Sequence, residues 1–485
     1  MRYRVLNVQI TALALLAALG TVIPATAKVF IPTTTNDTSD GTCDLDCSLR
    51  DAITAANQSP GFDAIVLGAG TYRVTGAAGE DLNQSGDLDV LDDLTIVGVS
   101  AEQTILEGAS DRVVDVLGGT TVEINGVTLR KGRTGTGVHG GGLRNAGRLT
   151  LTRVHVTGNV AGGAGGGLFS SGASSDLVIA QSAVTANSAG GVGGGLAVDD
   201  FLTLTDSTIS GNTAGGTGGG LHTYNNTDAD LRNVTITANS AAQAGGLYAE
   251  SIPFQSTSRP RIEATILAGN IASTDRDCGG APASAGHNVL GVGGACIDFT
   301  AAKADRAGST GSPVDAKLGA LANNGGATPT HALLAGSPAL GGAASCTPTD
   351  QRGALRPAGT CAVGAFEQTA ACLTGGSVLC LKGNRFKVTM TYKGGQGQTG
   401  SGQALPYNDG TGTFWFSDPT AFDTTVRVVD GCAGNQRYWV QLSGFTRSEV
   451  TTKVTDTVTG ATKTYVNPLG RIFRTVLDTN AFPCN

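Results

Sequence analysis

RVHVTGN (153–159), QSAVTAN (181–187), DSTISGN (206–212), NVTITAN (233–239) and ATILAGN (264–270) are copies of one phrase. Each closes on an asparagine, and Asn159, Asn187, Asn212, Asn239 and Asn270 stand 28, 25, 27 and 31 residues apart. After the first four, a glycine-rich run ends on Leu168, Leu196, Leu221 or Leu247. Counting back ten residues from each asparagine sets a register. Leu149, Leu177, Leu202 and Ala229 share its first position. Leu151, Ile179, Leu204, Leu231 and Ile262 lie two further on, and Val156, Val184, Ile209, Ile236 and Leu267 seven along. An earlier copy (Val122, Ile124, Val127, Leu129) has Gly132 in place of the asparagine. Alternate apolar residues mark strands, and the odd step between the apolar pairs requires a corner. A helical period fits none of these columns.

A strand–corner–strand–turn–strand unit of this length is one coil of a right-handed parallel β-helix, a pectin-lyase-like solenoid. No coil buries its apolar face alone, so stacking must supply the core. Strands ~4.8 Å apart make eight or nine coils over about residues 62–275 a rod of roughly 40 Å. The asparagines are expected to form a structural ladder, each amide bonding its neighbour and the bent backbone. The GGG runs match no nucleotide-binding pattern and read as turns.

Such a rod needs capped ends. CSLRDAITAAN (47–57) places Leu49, Ala52, Ile53 and Ala56 at helical spacing, an amphipathic helix suited to closing the first coil. From Cys372 the chain changes character. RFKVTMTY, TFWFS, TTVRVVD, RYWVQL, TTKVTDT and KTYVN predict an antiparallel β-sandwich, with Phe414, Trp415, Phe416, Tyr438 and Trp439 read as core packing over a sugar platform. The expected organisation is leader 1–27, cap 28–61, β-helix 62–317, a C-terminal region of the helix 318–371, and a sandwich 372–485.

The first 27 residues read as an export signal: Arg2 and Arg4, an apolar stretch from Ile10 to Ile23, then Ala25-Thr26-Ala27. The apolar stretch is too short to span a bilayer, and no later one is longer. Removing its two basic residues from a chain of net charge −7 leaves −9, which disfavours nucleic acid. Only 15% of residues are charged and 73 are glycine, a profile of exported, turn-rich β structure. Ten cysteines fit an oxidising compartment, and proximity pairs Cys43–Cys47, Cys278–Cys296, Cys346–Cys361, Cys372–Cys380 and Cys432–Cys484.

CSLRDA resembles the CSLREA motif of bacterial surface and secreted β-helix proteins, with Asp51 where that motif has Glu. LGALANNGGATPTHALLAGSPALGG (318–342), TDQRGALRP (349–357) and CAVGAFE (361–367) resemble the choice-of-anchor Q region that follows the β-helix in such proteins. The GGGL and V-T-x-x-N phrases are similar to polymorphic outer-membrane protein repeats. The resemblance covers roughly residues 43–367 and implies an exported, surface-associated protein with no settled activity. With no LPxTG-like sequence or hydrophobic anchor, covalent wall attachment is not expected. The tail resembles an unnamed all-β domain of exported bacterial proteins.

Enzymes of this fold carry definable residue sets. Asn226-Thr227-Asp228 and Asp199-Asp200 occur here, but in the wrong order for a polygalacturonase. His139 and His287 each lack one flanking glycine, Arg130-Lys131 lacks its spacer, and Arg259-Pro260-Arg261 has no calcium-binding cluster in its coil. No catalytic residue is therefore assigned.

The register instead gives one outward stripe with both aromatics and carboxylates: Phe169, His222 and Tyr248 at one position, Asp199, Tyr224 and Glu250 two residues on. Asp199 and Glu250 fall two coils apart, ~10 Å, at the outer limit of a catalytic pair. Asp81, Asn83, Ser85, Asp87, Asp89 and Asp92 occupy oxygen-ligand positions of a calcium loop, with Gly86 at its turn, and predict a possible structural calcium. The expectation is a secreted or cell-surface monomer, a non-catalytic scaffold for adhesion or glycan contact. The alternatives are a polysaccharide lyase or hydrolase with a divergent site, and a structural surface-layer or passenger rod.

Overall fold

Strand segments from successive repeats pair in parallel at matching positions, so the repeat register is also the sheet register. In the computed structural model, residues 27–224, 227–250, 259–357, 359–368, 372, 376–418, 422–457 and 461–484 are described; the leader expected at 1–27 lies outside them except for Ala27, as does Asn226. Leu149 pairs with Val122 and Leu177, and Val156 with Leu129 and Val184. The product is a parallel β-solenoid of about eight turns.

Three long stacks of parallel strands, called sheets here, run along the solenoid; the first two are arms of one 16-stranded sheet, and the middle coils add a four-stranded sheet of Arg133–Thr136, Val160–Gly162, Ser188–Ala189 and Thr213–Ala214. The first holds the strands after the glycine runs, from Leu88–Val90 through Leu143–Asn145 and Leu221–Thr223 to Cys278–Gly280. The second takes Asp63–Val66, Leu94–Val97, Arg148–Thr152 and Asp228–Arg232, and Leu168–Ala180 and Leu196–Thr205 run through both. The third stacks ten strands from Gly70–Arg73 to Arg306–Ala307. All four apolar columns, with Val122, Ile124, Val127 and Leu129, are buried in one continuous core.

The expected corner is a single left-handed residue. Arg153, Gln181, Asp206, Asn233, Ala264 and His287 hold it between the second and third sheets. A second such column, one residue before each asparagine, alternates Gly158, Ala186, Gly211, Ala238 and Gly269. In the glycine runs, coils touch backbone to backbone: a Cβ on Gly194 would lie 2.4 Å from the Gly219 carbonyl oxygen.

The asparagine ladder is continuous. Each amide Nδ2 and backbone N–H donates to the Oδ1 of the next asparagine at 2.9–3.0 Å. The same Nδ2 groups also donate to carbonyls of the preceding coil, Asn212 to Val184 and Asn239 to Ile209. Gly132 donates its N–H to Asn159, and Asp277 ends the column by accepting from Asn270.

The cap helix spans Leu49–Asn57. Its four apolar positions join the solenoid core. Ser48 and Asp51 form a reciprocal capping box, so the aspartate still closes the helix start, and its Oδ1 also accepts from Asp40 and Gly41. Arg50 was not anticipated: it is buried, pairs with Asp37 at 2.8 Å, and donates to the Gly86 and Asp87 carbonyls.

After the last coil, residues of 327–347 and 359–366 fold back on the outer surface of the third sheet. His331 bonds Ser210 at 2.8 Å, Thr328 bonds the Gln181 carbonyl, and Thr347 bonds Asp206. Gly364 (φ +89°) donates to the Ala264 carbonyl, and a Cβ there would sit 2.7 Å from Ile266 and Thr235.

A second compact unit comprises 323–326, 348–357 and 367–485. Two five-stranded antiparallel sheets share a core that includes Phe386, Phe414 and Phe482. Phe416 also lies in that core, Tyr438 packs against it, and the Trp439 indole donates to Asn435. Within this unit Asp350 accepts from Arg352 and the Glu367 N–H, so the TDQR motif is an internally satisfied network. The five cysteine pairs expected from proximity are bonded.

Two substitutions test this account in thermal or denaturant unfolding. Asn212→Ala strips partners from Asn187, Asn239 and Val184 and should cost about 3 kcal/mol or more; a loss under about 1 kcal/mol would contradict a load shared through the ladder. Ala186→Gly relieves a left-handed Cβ and should raise stability by about 1 kcal/mol, whereas destabilisation would show that the corner does not constrain the chain.

Candidate functional site

The outer column of the first sheet runs, coil by coil, through Asp89, Asp115, Arg144, Phe169, Ala197, His222, Tyr248 and Gly279. One row of the predicted stripe, Phe169, His222 and Tyr248, and part of the predicted calcium loop therefore share one column.

His222 organises the aromatic end. It is buried, its Nδ1 is hydrogen-bonded to Thr217 at 2.9 Å, and the Tyr248 ring stacks on it at 5.5 Å and 12°. Tyr224 meets it edge-on at 4.6 Å. Nε2 lies 3.2 Å from Glu250 Oε1, yet the two are too poorly aligned for a hydrogen bond. Tyr224 N–H donates to the Val198 carbonyl and Glu250 N–H to that of Thr223, so Asp199, Tyr224 and Glu250 stand on three successive coils. All three, with Tyr248, are half-buried. Phe169 is not part of this group; the Ala197 coil intervenes, and Phe169 stacks on His139 at 4.6 Å.

Burial pushes His222 down to about 4, so it is a neutral imidazole at pH 7 despite the nearby carboxylate. Glu250 is raised by burial and then by Asp199, and the Tyr224 hydroxyl by burial, then Glu250 and Asp199. Fixed aromatic rings beside two outward carboxylates suit contact with a polyhydroxylated ligand.

At the other end, Asp89 and Asp81 come together with Asp115, their carboxylate oxygens within 4.8 Å of one another. The remaining predicted loop ligands turn elsewhere. Asn83 bonds Arg50 and Thr54 of the cap helix, Ser85 bonds the Ala77 carbonyl, Asp87 pairs with Arg112, and Asp92 accepts from Asp93 N–H. Arg112 and Arg144 both bind Asp115, at 2.9 and 2.7 Å. Burial raises Asp87 to about 7 and Asp89 to about 8. Asp115 was missed; its signal was the matching Leu88-Asp89-Val90 and Val114-Asp115-Val116 triplets.

The residues weighed as enzyme motifs have structural partners. Arg130 and Lys131 pair with Glu107, Arg259 donates to the Ala281 and Pro282 carbonyls, Arg261 pairs with Asp230 and Glu263, and His287 bonds the Gly342 carbonyl. Among the described residues no helix is long and apolar enough to cross a membrane. No family model, curated protein or solved structure matches the chain.

His222 yields a pH test with a defined sign. Its folded-state pKa is depressed below the unfolded value, so the unfolded chain binds more protons between about pH 4 and 6.5. The stability it contributes is present above that window and is lost as the pH falls through it. Glu250, being raised, acts in the opposite sense below neutrality. The fall in unfolding midpoint from pH 7 to pH 5 should therefore be smaller in His222→Phe, which keeps a ring without the titration; parallel curves for the two proteins would refute the assignment.

Proposed function

We propose that this is an exported, non-catalytic β-helix scaffold that contacts a polysaccharide through the first-sheet face, at Asp199, Tyr224, Tyr248 and Glu250, with His222 positioning the rings. The observation that carries this reading is the half-exposed pair of tyrosines locked around a buried neutral histidine, with a carboxylate on either side. The third sheet argues in the same direction, because the chain's own segments 327–347 and 359–366 cover part of its outer surface. Five disulfides are compatible with an extracellular setting, and the CSLREA and choice-of-anchor Q resemblances support export to the cell surface. Two carboxylates favour neutral or amino-sugar polymers over polyuronates, whose own charge they would repel.

A polysaccharide-cleaving enzyme is the second reading, favoured by one observation: Glu250 is held toward its protonated form while sensing Asp199. A general acid with a second carboxylate is the minimum equipment of a glycosidase.

Affinity electrophoresis against neutral, amino-sugar and uronate polymers, with product analysis, separates the readings. Retention by a neutral or amino-sugar polymer without oligosaccharide release is expected. Tyr248→Ala and Tyr224→Ala should each weaken retention about fivefold, the loss of one stacking contact of ~1 kcal/mol. Release of product that stops in Glu250→Gln would establish the enzyme. Neither retention nor product would leave a structural rod.

A further inference from the structure

Asp89 and Asp115 are register partners on adjacent coils, so the first-sheet column brings two carboxylates side by side. Asp81 reaches the same point from the loop that precedes the first of these strands, and one oxygen from each of the three lies within 4.8 Å of the others. Like charges at this spacing repel unless something positive joins them.

Arginine compensates only part of the charge. Arg112 bridges Asp87 and Asp115, and Arg144 grips Asp115 while its nearest approach to Asp81 is 3.9 Å. Four carboxylates thus face two guanidinium groups. Asp89 is completely buried; its Oδ2 accepts the Asn83 N–H, but its Oδ1 has no hydrogen-bond partner. Asp87 Oδ1 is likewise buried without a partner. A buried carboxylate oxygen left unpaired is costly, and native interiors supply a donor or a cation.

We propose that Asp81, Asp89 and Asp115 hold a calcium ion that ties the 76–87 loop to the first coils of the rod. The donors are all carboxylate oxygens, drawn from a loop and two stacked coils, which suits a hard cation with flexible coordination better than magnesium or a transition metal. A divalent cation would offset the excess of carboxylates over guanidinium groups at this point. The ion also bears on the cap, because Arg50 of the cap helix donates to the Gly86 and Asp87 carbonyls of the same loop. Its ligand set differs from the linear loop in the sequence: Asp115 enters from the next coil, while Ser85 and Asp92 have no part.

The test is unfolding of the full chain in EDTA and in millimolar calcium chloride, with isothermal titration of calcium into the EDTA-stripped protein. Calcium should raise the unfolding midpoint by several degrees, since a ligand that binds only the folded state stabilises it. Asp89→Asn and Asp81→Ala should each weaken calcium binding at least tenfold, and Asp92→Asn should leave it unchanged. If Asp89→Asn does not fold, Asp81→Ala decides alone, because the Asp81 side chain is 65% exposed. No midpoint shift and no heat would overturn the proposal. So would full calcium affinity in Asp81→Ala, or its loss in Asp92→Asn, which would return the ion to the linear loop.

Discussion

The structure depends on one constraint: each coil must lie on its neighbour in register, because it has no other partner for its backbone or its apolar face. The asparagine column is where that constraint is tightest. A left-handed residue bends the chain there and removes the following peptide from the sheet ladder. The asparagine side chain restores what the bend removes: the Asn212 Oδ1 accepts two donors from the Asn187 coil, and its Nδ2 donates to the coils on both sides. A shift of one residue would break every bond in the column and turn each buried leucine outward.

The rest of the rod follows from how that stack begins and ends. Asp277 can end the column because an aspartate accepts as an asparagine does, while its second oxygen accepts from Val292 N–H on the coil that follows Asn270. At the other end, the cap motif gains a physical meaning. Cys47 bonds Cys43, Ser48 and Asp51 close the helix start, Leu49 and Ala52 enter the core, and Arg50 satisfies carbonyls of the loop beneath.

Closure also determines which surface remains for a ligand. The chain that folds back after the last coil bonds to Gln181, Ser210, Asp206 and Ala264 on or beside the third sheet. The first-sheet face keeps half-exposed rings and carboxylates at one end and a carboxylate cluster at the other. Its two ends differ because the column position is unconstrained in chemistry: outward residues of a coil are free to vary while inward ones are not.

Periodicity made the fold legible. The columns through Leu151, Val156 and Leu168 identified the inward faces, the corners and the ladder from the sequence alone, since a repeated physical requirement leaves a repeated residue type. Proximity was enough for four of the disulfides, whose cysteines lie 4 to 18 residues apart, and Cys432–Cys484, 52 apart, was the longer pair that remained. The same register placed Asp199, Tyr224 and Glu250 on consecutive coils. What the sequence did not reveal lies where the repeat lapses. Asp115 meets Asp89, Arg112 meets Asp87 and Arg144 meets Asp115 only through stacking, Thr217 reaches His222 across a turn, and the fold-back of 327–347 and 359–366 joins residues more than a hundred apart. The sequence by itself determined the coil, because every coil obeys the same local rule. Only the tertiary structure decided which side chains share a site, because that depends on which coil each one occupies and on what covers it.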